Sequence, residues 1–138
     1  MKHSFQALPG LGGRARPVVD LVVEGLELAP QACLIDTGAT DVRMGKHVAE
    51  LAGIELGGSL SHEIVIGGLR TTGHATSVQL ELRQGSSSHS WAPVVYFCDP
   101  WPWSFGLLGL AGLDPFRTIV DSYDEWVELQ PTARSTPG

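Results

Sequence analysis

Between Pro17 and Leu129 the chain is cut into short apolar runs, each stopped within a few residues by Gly, Pro or a polar cluster, and this punctuation limits the fold more than any other feature. Such runs, rich in Val, Ile and Leu, suit strands, and with so little helix between them they predict an all-β barrel or sandwich. Val18 to Val23 reads as a strand that turns at Glu24-Gly25 into a second one ending at Asp36. Ser61–Ile66 and His74–Leu82 read as a hairpin joined through Gly67-Gly68 and Thr71-Thr72-Gly73, the segment 84–90 as a flexible loop, and Trp91–Phe97 as another strand. Cys98-Asp99-Pro100-Trp101-Pro102-Trp103 is a stiff aromatic loop, and Arg117–Asp121 with Glu125–Leu129 a last hairpin. The one convincing helix lies over Gly45–Gly53, with Val48, Leu51 and Ala52 on one face and Gly53 as its stop.

At 138 residues, 43% of them hydrophobic, the chain has material for one core and one domain. The expected boundaries are a flexible N-terminal segment 1–16, a domain 17–130 and a flexible C-terminal tail 131–138, both tails being mobile unless something docks them. The net charge of −6, with nine scattered basic residues, argues against nucleic acid as a partner. The sequence shows no apolar stretch of membrane-crossing length and no secretory signal, so a soluble, cytoplasmic protein is expected. Cys33 and Cys98 read as small buried hydrophobes. The histidines, at positions 3, 47, 62, 74 and 89, show no metal-ligand spacing; no metal or cofactor is expected.

Chemistry concentrates in Ala32-Cys33-Leu34-Ile35-Asp36-Thr37-Gly38-Ala39-Thr40. A carboxylate stands at the end of an apolar run, followed at once by a hydroxyl and a glycine, an arrangement that can hold an acid rigidly in a tight turn. About seventy residues downstream comes Ser104-Phe105-Gly106-Leu107-Leu108-Gly109-Leu110, and between the two lies Ile64-Val65-Ile66-Gly67-Gly68-Leu69, a strand that breaks into glycines. Over roughly residues 17 to 129 these three elements, in this order, resemble the retropepsin-like aspartic proteases.

The resemblance implies a closed acid-protease barrel with one or two short helices. It implies Asp36 as the catalytic residue, supported by Thr37 and Gly38, with Ile66, Gly67, Gly68 and Leu69 as a flap over the substrate and Ala39, Thr40 and Leu107 in the substrate cleft. Since the chain carries one Asp-Thr-Gly turn, the second carboxylate must come from a second copy, and activity implies a homodimer acting on a peptide or protein substrate. Thr40 and Leu110 stand where retroviral enzymes often place an acid and an arginine, and the two prolines of the C-terminal tail make it a poor strand, so a different dimer surface is expected. Trp101, Trp103 and Phe105 either form that surface, or pack under the barrel or line the cleft. Val42, Ile66, Leu69, Pro93 and Leu107 suggest an apolar lining and a preference for hydrophobic residues beside the cleaved bond. The alternative is a non-catalytic domain of the same fold that dimerises or binds peptides.

Overall fold

The structure, a computed structural model, describes residues 1–11 and 13–133. A first strand, β1 (Lys2–Ser4), precedes the hairpin of β2 (Val18–Val23) and β3 (Leu26–Ile35), which delivers the chain to Asp36. β4 (Val42–Gly45) runs directly into α1 (Lys46–Ala52). The hairpins β5 (Leu60–Ile66) with β6 (Leu69–Ser77) and β7 (Leu80–Gln84) with β8 (Ser87–Trp91) come next, then β9 (Val94–Asp99) and β10 (Gly106–Leu108). A single turn of helix, α2 (Leu110–Leu113), leads to the closing pair β11 (Phe116–Asp121) and β12 (Trp126–Pro131).

The expected closed barrel does not form. The strands make a nine-stranded sheet in the order β5-β6-β9-β4-β10-β3-β2-β7-β8 and a separate three-stranded sheet in the order β1-β12-β11. Closure of the large sheet would need β5 to pair with β8, but the two stand unpaired at opposite ends of the strand order. β8 is largely polar and exposed, and β5 buries Ile64 alone among its seven residues. The small sheet instead lays Phe116, Val127 and Leu129 on the same core as Val19, Leu21, Val42, Leu82 and Phe97 of the large one. β2, buried on both faces, is accordingly a near-continuous aliphatic run, whereas the first half of β3 is exposed and tolerates Pro30.

Local chemistry explains the elements that match expectation and those that do not. α1 stops where Gly53 takes a left-handed conformation (φ 73°, ψ 25°) and donates its amide to the Ala49 and Glu50 carbonyls. Its buried face is Val48 and Ala49; Leu51, expected inward, is 69% exposed because so short a helix contacts the sheet on one side only. The single strand expected over 74–82 is broken at Val78-Gln79, where the Val78 amide donates to Pro93 O and Gln79 O accepts from Glu24. β6 thus stays beside β9 and β7 turns to β2. The segment 84–90, expected to be a loop, is a hairpin turning at Gly85, where φ is 58°. Ahead of the domain, β1 pairs with β12, Gln6 bridges Arg16 and Leu8 is buried, so the N-terminal segment is docked. The tail expected from 131 lies, from 134 onward, outside the described residues.

Candidate active site

β10 runs between β3 and β4, parallel to the first and antiparallel to the second, and this crossing builds the Asp36 turn from both sides. The Asp36 amide donates to Leu108 O at 3.1 Å, tying the end of β3 to the end of β10. Asp36 Oδ1 accepts from the Gly38 amide at 3.0 Å and Asp36 O from the Ala39 amide at 3.1 Å, so the acid is held by the turn it begins. The return half is stapled to α2: Leu110 N donates to Ala39 O and Ala111 N to Thr40 O, both at 2.9 Å.

Gly106 and Gly109 make this crossing possible. A Cβ at Gly109 would meet Asp41 O at 2.3 Å and Ala39 O at 2.6 Å, and one at Gly106 would meet Arg43 O at 3.0 Å. Backbone packs on backbone here with no room for a side chain.

Asp36 faces a cleft of about 240 Å³ that it shares with Leu34, Ile66, Trp101, Trp103, Phe105 and Leu107. The wall is apolar, half aromatic and half aliphatic, and Asp36 is its charged member. The aromatic loop is held at three points. Thr71, buried in β6, donates its hydroxyl to Pro100 O at 2.6 Å; Trp101 Nε1 donates to Phe105 O at 3.0 Å; and the Trp101 and Trp103 rings meet edge to face at 4.9 Å.

Of the residues singled out from sequence, Asp36, Ile66 and Leu107 meet in this cleft. Gly67 and Gly68 form the two-residue tip of the β5–β6 hairpin with φ of 53° and 83°, Ile66 pairing with Leu69 just below. Thr37 and Gly38 are exposed on the turn. Ala39 is buried beneath it and Thr40 is exposed; both serve the turn through their backbone and neither lines the cleft. Val42 and Pro93, expected in the lining, are elsewhere: Val42 is in the core, and Pro93 caps the break between β6 and β7. Leu34 was missed, and the aromatic loop, left between two roles by the sequence, is cleft wall. Its signal was there in three large rings within five residues, but only folding shows which way they face.

Neither cysteine offers a competing nucleophile. Burial pushes the Cys33 thiol up to about 12, against the Gly106 amide, and the Cys98 thiol up to about 11, against the Arg43 charge. Among the described residues no three His, Cys, Asp or Glu side chains gather to hold a metal, and no helix is long and apolar enough to cross a membrane.

No family model matches the chain, and no curated protein matches it in sequence. Its fold is similar to that of a retropepsin-like aspartic protease from Rickettsia conorii, with a TM-score of 0.56 over 92% of this chain and 86% of that one. At 13% identity the likeness is one of fold.

Proposed function

We propose that this chain is an aspartic endopeptidase that works as a homodimer, hydrolysing peptide bonds between two Asp36 carboxylates, one from each copy. The observation that supports it best is the placement of Asp36: fixed by the Gly38 amide, braced by β10, and facing an apolar cleft that Ile66, at the base of a glycine-tipped hairpin, helps to line.

Two such carboxylates side by side hold one proton, because the second charge is costly next to the first, and they titrate as a unit. The ionised member takes a proton from water as the water oxygen bonds to the peptide carbonyl carbon, and the protonated member gives its proton to the carbonyl oxygen. Collapse of the tetrahedral species breaks the C–N bond, with a proton passing to the leaving nitrogen. The aromatic wall holds a large apolar side chain beside the cleaved bond, and an extended peptide lies under Gly67 and Gly68 with main-chain hydrogen bonds as an added strand.

The test is cleavage of an unbiased peptide mixture from about pH 3.5 to pH 7. Wild type is expected to cut beside aromatic and large aliphatic residues and to be blocked by a pepstatin-like inhibitor. Asp36→Asn is expected to lower the rate by at least about a hundredfold. Undiminished cleavage by the variant would overturn the reading, and peptide binding without cleavage would leave a non-catalytic binding module.

A further inference from the structure

Beside the Asp36 turn, a second groove of about 380 Å³ is lined by Thr37, Leu110, Leu113, Asp114, Phe116 and Thr118. It runs from the candidate site to β11, and two features mark it as unfinished. Leu110 in its lining is 53% exposed, and Val120, two residues along β11 from Thr118, is 43% exposed. Among the described residues β11 is also the outer strand of its sheet, with β12 on one side and no strand on the other. An open edge carrying an exposed β-branched residue is a template for another strand.

We propose that a second copy of the chain seats on this groove, with the two β11 strands pairing antiparallel about Ile119 and joining two three-stranded sheets into one of six strands. The proposal rests on the endopeptidase reading above, since that reading requires a second copy of the chain. The register follows from parity and charge. Directly opposed residues must share a face, so a strand paired with its own copy is centred on a residue. Centring on Ile119 sets Arg117 of each copy against Asp121 of the other and Thr118 against Val120. Centring on Thr118 sets Arg117 against Ile119, and centring on Val120 sets Asp121 against Ile119. Only the Ile119 register matches opposite charges, and it does so twice by symmetry. Arg117 is exposed and makes no ion pair within its own chain among the described residues. On the groove face the same register joins Phe116, Thr118 and Val120 of both copies.

The experiment pairs sedimentation equilibrium with oxidative cross-linking. In Ile119→Cys the two new thiols face each other across the two-fold axis, at the Cα separation of about 4.5–5.5 Å that opposed antiparallel residues have and that a disulfide spans. The native cysteines are buried and contribute little background. Ile119→Cys is expected to oxidise to a covalent dimer, whereas Val65→Cys, equally on a strand but on exposed β5, is not. Arg117→Glu, an exposed substitution that spares the core, is expected to weaken the dimer by at least about tenfold, two attractive pairs becoming two repulsive ones. A dimer that ignores both changes yet cleaves peptides through Asp36 would overturn this surface and leave the endopeptidase reading standing. A covalent Ile119→Cys dimer without Asp36-dependent cleavage would do the reverse. A monomer at all concentrations would overturn both.

Discussion

Gly109 shows how tightly single residues are specified around the Asp36 turn. Its backbone is extended (φ −85°, ψ −174°), so glycine is needed there for space alone, because the Asp41 and Ala39 carbonyls close over it. Gly109→Ala must separate β10 from the turn or expel α2, and is expected to cost about 2–4 kcal/mol in chemical denaturation, with peptide cleavage lost alongside. Gly57→Ala, with open space around its Cβ, is the control and should stay within about 0.5 kcal/mol of wild type. Asp36, Thr37 and Gly38 were legible as a unit because their chemistry is contiguous: the carboxylate accepts from an amide two residues on. Leu34 was not, since an apolar residue in a strand reads alike whether it points into a core or a cleft.

At the scale of elements, the β5–β6 hairpin was legible from its turn. Two consecutive glycines with positive φ match the right-handed twist of the flanking strands, and nothing surrounds their Cβ positions, so the tip stands free. Gly68→Val puts a β-branched residue at φ 83° and is expected to cost about 1–2 kcal/mol, confined to the hairpin. Hydrogen exchange should quicken in β5 and β6 while β2 and β3 hold, and kcat/KM should fall if the tip closes over substrate. Faster exchange throughout the core would show that the hairpin is not an independent unit. The elements that sequence reading misplaced, the break at Val78-Gln79 and the β7–β8 hairpin, are set by long-range partners: Pro93 and Glu24 for the break and β2 for the redirected strand.

For the whole molecule, the two buried thiols tie stability to alkaline pH. Cys33 and Cys98 are held neutral, with values raised from 9.0 to about 12 and about 11. A raised value in the folded state means that the unfolded chain gives up these protons first. The stability is complete below about pH 9 and is lost as pH rises through the folded values. The denaturation midpoint should therefore fall above pH 9, with a slope of at most about 1.4 kcal/mol per pH unit from each thiol. Cys33→Ala should flatten that slope; an unchanged slope in the variant would assign the loss to other groups. The same burial makes Cys33 part of the packing under Gly106, where its sulfur lies 3.2 Å from the position of a glycine Cβ.

The amino-acid sequence by itself determined the strand-rich class, the capped helix at Gly53, the glycine hairpin tip and the acid-bearing turn, because each depends on φ preferences, side-chain shape and hydrogen bonds within a few residues. The tertiary structure alone decided that the large sheet stays open, that β10 crosses between β3 and β4, and that three aromatic rings from 101–105 face Asp36. Those outcomes turn on which strand edges find an apolar partner across long stretches of chain, as when the Asp36 amide meets Leu108 O. Local pattern carries no record of such a choice, since a register or neighbour is selected by the burial it achieves in the assembled core.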